Sequence, residues 1–271
     1  MNSSNTEAIS NQIIKKAKKL GASMAGIASV ELLKKSPSHD IYSKIEQHKG
    51  IGARKFEEGV KPGEIAWPPE TKSVAVIALS HKEDEPELDW WKGDSSDRKS
   101  AGNHVLSGIM KDLSEWVEKE FNIKTHRLPY HIERGSIFLK DSAVMAGFGC
   151  IGKNNLVVTP EFGPRVRFWA LLLDEEVTPT GPMIFNPCDG CSEPCRNVCP
   201  QNAFDGIVYS PIEIGMVTLP GRNGCYSRDL CKIQTKKNVD DGEIVGKNDS
   251  DDPIKSIKFC RLCELSCPVG K

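Results

Sequence analysis

Nine of the chain's ten cysteines fall between Cys188 and Cys267, and only Cys150 lies outside that third. Under reducing conditions grouped thiols bind metal or do redox work more often than they form disulfides. The first group reads Cys188-x2-Cys191-x3-Cys195-x3-Cys199-Pro200. It is the C-x2-C-x2-C-x3-C-P run of bacterial ferredoxins with one residue added. In that run three thiolates hold one 4Fe–4S cluster and the fourth crosses to a second. The other group, Cys260-x2-Cys263-x3-Cys267-Pro268, repeats the last three members, and Ile257 stands where the first would fall. Crossed pairing puts one cluster on Cys188, Cys191, Cys195 and Cys267. The other takes Cys199, Cys260, Cys263 and either Cys225 or Cys231. Zinc also accepts tetrahedral thiolate sites. A proline after the last cysteine of each group, and an odd thiol in each to exchange, favour two 4Fe–4S clusters and an electron-handling protein.

A second motif invites a different chemistry. Gly147-Phe148-Gly149-Cys150-Ile151-Gly152 satisfies G-x-G-x-x-G, and Asp174 comes after it at a suggestive distance. A dinucleotide site needs a strand before those glycines and a helix N-terminus after them. Here the next segment is the strand-like run Asn155-Leu156-Val157-Val158-Thr159, closed by Pro160, so the nucleotide reading fails. The glycines do imply a tight turn or a close backbone approach. Lys153, Arg165 and Arg167 stand nearby as anion contacts or as surface ion pairs.

Several helices and strands must position these residues. A helix runs from about Thr6 to Leu20 on Ile9, Ile13, Ile14, Ala17 and Leu20, stopped by Gly21; its lysines form a solvated face. Ser73–Leu79 is a buried strand. Residues 82–102 are a polar loop carrying Trp90 and Trp91, either a lid or local packing. A helix with Asn103 as N-cap extends to Phe121, with Leu106, Ile109, Met110, Leu113 and Val117 along one stripe. Two more strands fall at 155–159 and 166–173 with a turn between them. Helices and strands interleave to about residue 180, and residues 235–256 form a solvated insertion. The 271 residues carry 36 basic and 37 acidic groups for a net charge of −1, so no global field favours nucleic acid or an anionic membrane. An N-terminus without a signal segment, and the lack of an 18-residue apolar run, predict a cytoplasmic chain with no membrane contact.

The stretch 146–154 together with Thr159-Pro-Glu-Phe-Gly-Pro-Arg-Val-Arg167 resembles the epoxyqueuosine reductases and related reductive dehalogenases, and so do the two cysteine groups with Cys225 between them. The resemblance covers roughly residues 70–270. It implies an α+β fold: a nitroreductase-like α/β-type core over 1–182, and a ferredoxin-like domain with two 4Fe–4S clusters over 183–271. It implies Cys225 as the remaining ligand. It implies base-off cobalamin held around Gly147, Gly149, Cys150, Gly152, Lys153, Asn154, Arg165 and Arg167, with electrons passed on for reductive cleavage of a substrate. The family's catalytic acid falls on Glu133 without gaps, or on Asp141 within Asp141-Ser142-Ala143-Val144. The family's aromatic residue in the glycine loop is Cys150 here, and the chain stops four residues after Cys267. These departures and the charge balance predict a small-molecule substrate rather than tRNA, served by an external donor of ferredoxin or flavodoxin type. The alternative is a non-enzymatic carrier that reactivates a corrinoid protein partner.

Overall fold

The computed structural model describes residues 3–44, 67–81, 83–94, 98–130 and 136–271. In chain order the first half holds α1 (Ser3–Lys19), β1 (Met24–Ser29), α2 (Val30–Lys34), α3 (Pro37–Lys44), β2 (Ser73–Ser80), β3 (Trp91–Gly93), β4 (Arg98–Ser100) and α4 (Ala101–Phe121). Next come β5 (Thr125–Arg127), α5 (Leu139–Met145), β6 (Cys150–Ile151), β7 (Val157–Val158) and β8 (Val166–Leu173). The cysteine-rich third adds α6 (Pro194–Asn197), α7 (Pro211–Ile214), α8 (Arg228–Asp240), β9 (Glu243–Lys247), β10 (Pro253–Ile257) and α9 (Leu262–Leu265).

The central sheet runs β1-β2-β8-β5, and every pairing in it is antiparallel. Alternate residues of β2 and β8 face opposite sides. Ala75, Ile77, Leu171 and Leu173 pack with Ile13, Leu106, Met110 and Leu113 of α1 and α4. Val74, Val76, Ala170 and Leu172 pack with Leu33, Ala143 and Phe148 on the other side. Both faces are covered, so the strands read as continuous apolar runs. Such runs look the same whether a buried sheet is parallel or antiparallel. That is why interleaved helices and strands leave an α/β-type and an α+β core both open, and the sheet decides between them: the fold is mixed α+β with an antiparallel centre.

Other expectations move at the edges. Ser100, not Asn103, caps α4, its Oγ accepting the Asn103 N–H at 3.1 Å. The expected strand over 155–159 shrinks to β7, which hairpins with β6 and does not join β8. The largest change concerns the two segments read as loop and solvated insertion. They pair as one antiparallel sheet, β4-β3-β10-β9, with Trp91 opposite Ile257. Trp91 meets Phe259 at 6.1 Å and Tyr130 at 6.2 Å, and Lys258 lies over Trp90 at 4.3 Å. The tryptophans pack; neither closes a lid. Each half of that sheet is too polar and too short to announce itself, and only the pairing buries Ser256 and Ile257.

Candidate metal centres

The cysteines gather in two places. Cys188, Cys191, Cys195 and Cys267 line one cavity with Pro187, Pro194 and Pro268. Burial pushes the Cys195 thiol up to about 11, and its neighbours Cys267, Cys188 and Cys191 push in the same direction. These are the four thiols that crossed pairing assigns to one cluster. The second group is assembled by α8 and the segment leading into α9. Cys263 is raised to about 12, first by burial, then by Cys260, Glu264, Cys231 and Cys195. Cys260 is raised by burial, with Cys231 and Cys199 as its thiol neighbours. Cys231, in the first turn of α8, is a neighbour of both Cys260 and Cys263. Cys195 and Cys263 sense each other, so the two groups adjoin.

Several sulfurs accept backbone N–H groups, the environment that stabilises a thiolate ligand. Ala203 N–H donates to Cys199 Sγ at 3.3 Å, and the Leu262 and Val269 N–H groups serve Cys260 and Cys267. Among the described residues no three Cys, His, Asp or Glu side chains converge to hold a single metal ion.

The glycine loop bolts this region to the core. It comes after α5, not a strand, and leads into the β6–β7 hairpin, so the structure agrees with rejecting a dinucleotide site. Gly149 (φ +152°) lies against the Val158 carbonyl, and a Cβ there would overlap it. A Cβ on Gly147 would meet the Thr180 carbonyl at 2.8 Å, and one on Gly152 the Asn154 side chain at 2.7 Å. Lys153 pairs with Glu193, and Asn154 Nδ2 donates to the Cys263 carbonyl at 3.2 Å. Arg165 donates to the carbonyls of Cys267 at 3.3 Å and Val269 at 2.7 Å. Arg167 bridges Glu264 at 3.2 Å and Asp89 at 2.8 Å. Cys150 Sγ accepts from Arg222 at 3.1 Å. Of the eight residues expected to cradle a corrinoid, Cys150, Lys153, Asn154, Arg165 and Arg167 each have a side-chain partner within the chain.

Sequence reasoning missed the partners of this bolt. Asp89, Arg261 and Glu264 form a buried ion network with Arg167, and His81 Nδ1 donates to Asp89. Asp89 is held below the usual carboxylate range by His81, Arg167 and Arg261, which outweigh the upward push of its burial. The only available signal was Arg261 and Glu264 three apart inside the last cysteine group. Asp174, the residue that made the nucleotide motif tempting, binds His126 at 2.7 Å. Of the two candidate acids, Asp141 is buried and accepts from Ser38 N at 2.8 Å and Ser38 Oγ at 2.6 Å, tying α5 to the start of α3. Glu133 lies outside the described residues.

No family model matches the chain. The epoxyqueuosine reductase of Lactococcus garvieae is 25% identical over 206 residues, covering 73% of this chain and 51% of that one. A solved Bacillus subtilis epoxyqueuosine reductase, described with its catalytic Asp loop swung out of the active site, superposes with TM-score 0.61 at 18% identity, over 98% of this chain and 66% of that one. A second epoxyqueuosine reductase, solved with an epoxyqueuosine-modified tRNA-Tyr stem loop, gives 0.59 at 18%, over 98% and 66%. A reductive dehalogenase described in terms of B12-dependent dehalogenation gives 0.55 at 16%, over 96% and 31%. The chain spans about half the length of the curated relative it matches. These findings overturn the expectation of a small-molecule substrate in preference to tRNA, because the matched reductase is solved on a tRNA stem loop. A near-neutral net charge averages over the whole surface and does not report on any one patch of it.

Proposed function

The chain is a relative of the epoxyqueuosine reductases and reductive dehalogenases, and from that premise we propose a cytoplasmic oxidoreductase with two 4Fe–4S clusters that acts on a tRNA-borne modified nucleoside. The observation that carries the reading is the cavity lined by Cys188, Cys191, Cys195 and Cys267, thiols up to 79 positions apart in sequence. Cys199, Cys231, Cys260 and Cys263 would hold the second cluster, Cys231 replacing Cys225. A cube takes one thiolate at each of four corners, which suits sulfurs that face one another without meeting at one point. The cysteine-rich third, 183–271, then acts as the ferredoxin-like part on the 1–182 core. Among the described residues no helix is long and apolar enough to cross a membrane.

Bound clusters would supply electrons one at a time. The protein's own part is to hold the cysteine segments against β8 through Arg165 and Arg167, and to deliver a proton where the substrate bond breaks. Asp141 is engaged by Ser38, so Glu133 is the proposed donor. It needs burial by the bound substrate to raise its pKa toward neutrality, and proton donation of this kind contributes about 10²–10⁴-fold in rate. Cobalamin is proposed from kinship alone, and no step is routed through it.

The test is anaerobic reconstitution with iron, sulfide and corrinoid analysis, then turnover on an epoxyqueuosine-bearing tRNA stem loop. A reduced ferredoxin- or flavodoxin-type donor supplies the two electrons that, with two protons, release the oxygen as water. Loss of one oxygen atom from the nucleoside, read by mass, is the expected result. About eight irons with no change in the RNA would keep the clusters and discard the substrate. Glu133→Gln is expected to stop turnover with iron intact, whereas Asp141→Asn spares it.

A further inference from the structure

Two charges stand against the second group of thiols without any part in ligation or proton delivery. Lys140, at the start of α5, donates from Nζ to the Asn155 carbonyl at 2.6 Å. Next to Asn155, Asn154 donates to the Cys263 carbonyl, so the Lys140 ammonium is fastened to the same turn that holds Cys263. Burial, and after it Arg228, lower the pKa of that ammonium, while its neighbours Asp141, Cys263 and Cys231 act in the opposite direction and favour the charge. Arg228 opens α8, and Cys231 sits in the first turn of the same helix, where the positive end of the helix dipole lies. Lys140, Arg228 (which has a partner of its own) and the N-terminus of α8 are therefore neighbours of this group of thiols. The adjacent carboxylates are both engaged: Asp141 accepts from Ser38 of α3, and Glu264, beside Cys263, pairs with Arg167 and Arg261.

The first group is surrounded differently. Its nearby Lys153 and Arg196 share Glu193, which cancels much of their charge. Arg165 spends its donors on the Cys267 and Val269 carbonyls.

We propose that Lys140 is a positioning charge that raises the reduction potential of the cluster on Cys199, Cys231, Cys260 and Cys263 above that of its neighbour. The inference rests on the two-cluster reading. Reduction adds one electron to a thiolate-ligated cluster and no group is transferred, so a fixed cation nearby favours the reduced state. Cluster potentials respond to net charge and solvent exposure in this way. At the spacing of neighbouring side chains and the screening of a partly exposed site, one unit charge is worth about a threefold change in the reduced-to-oxidised ratio. A charge gradient of this kind would make the second cluster the electron reservoir of the pair.

The experiment is a redox titration of the reconstituted full chain, monitored by paramagnetic resonance, for the wild type, Lys140→Gln and Lys140→Arg. With iron content equal in all three, Lys140→Gln is expected to lower one of two midpoints by the equivalent of about threefold, leaving the other in place. Lys140→Arg should restore it, and the shift should shrink as salt is raised. Unmoved midpoints, or two midpoints shifted together, overturn the proposal while leaving the clusters standing. Halved iron in both variants also overturns it, because the lysine would then be structural. A wild type without iron sinks the two-cluster reading itself, a result read from the metal count before any titration.

Discussion

The two candidate centres come from one sequence motif yet are built unlike each other. The first is sunk in the molecule: Cys195 and Cys267 are each 8% exposed, and prolines and valines wall the cavity. The second opens outward, with Cys231 and Cys260 exposed and the apolar Leu230 and Leu262 beside them at 38% and 46%. The first is fastened by hydrogen bonds to backbone carbonyls, through Arg165. The second is fastened by a buried ion network, through Arg167, Glu264, Asp89 and Arg261. Burial suits a centre that must be kept from solvent, and exposure suits one that must exchange electrons. The same spacing can serve either end because the surrounding chain, not the motif, sets solvent access and charge.

The sharpest way to break this comparison is to remove ligands one at a time. About eight irons per chain are expected in the wild type, and about four in Cys195→Ser and in Cys231→Ser. Cys225→Ser and Cys150→Ser should keep the full count. Iron lost with Cys225 and kept without Cys231 would show a second centre assembled as the resemblance implied, with α8 holding a spare thiol.

A smaller effect separates the centres by access. Cys231→Ser leaves only the sunken centre and Cys195→Ser only the open one, so each can be challenged alone with a hydrophilic chelator. The open centre is expected to lose iron several-fold faster, as an exposed thiolate site should. Equal rates would mean that the difference in exposure has no consequence for the bound cluster.

The smallest effect expected is on folding stability. Arg167→Leu removes one of the two arginines that neutralise the buried Asp89 and Glu264 carboxylates, leaving Arg261, and should cost about 3–5 kcal/mol. Arg165→Met leaves two carbonyls unpaired and should cost about 1–3 kcal/mol. Urea titration of the two variants gives both numbers, and a larger loss for Arg165 would reverse the order of the two fastenings.

Much of this was readable in the chain. The cysteine spacing with its two prolines already grouped Cys267 with Cys188, Cys191 and Cys195, the four thiols that line one cavity. The apolar stripe of α4 and the apolar runs of β2 and β8 were visible because burial of a face imposes its period on the sequence. The glycine loop was rightly denied to a nucleotide, since the segment after it is strand-like and proline-stopped. Three things were not readable. Residues 91–93 and 253–257 pair across about 160 positions, and their short polar strands carry no local signal until they meet. Cys225 and Cys231 are alike in sequence, and it is the placement of α8 that makes Cys231 a neighbour of Cys260 and Cys263. Lys153, Asn154, Arg165 and Arg167 look like ligand contacts when read alone. Tertiary structure gives each a protein partner, because a buried donor must be satisfied by whatever the fold brings within reach. Sequence determined which atoms could bind metal; the packing of the cysteine third on β8 decided how deep each group of thiols lies and which charges adjoin it.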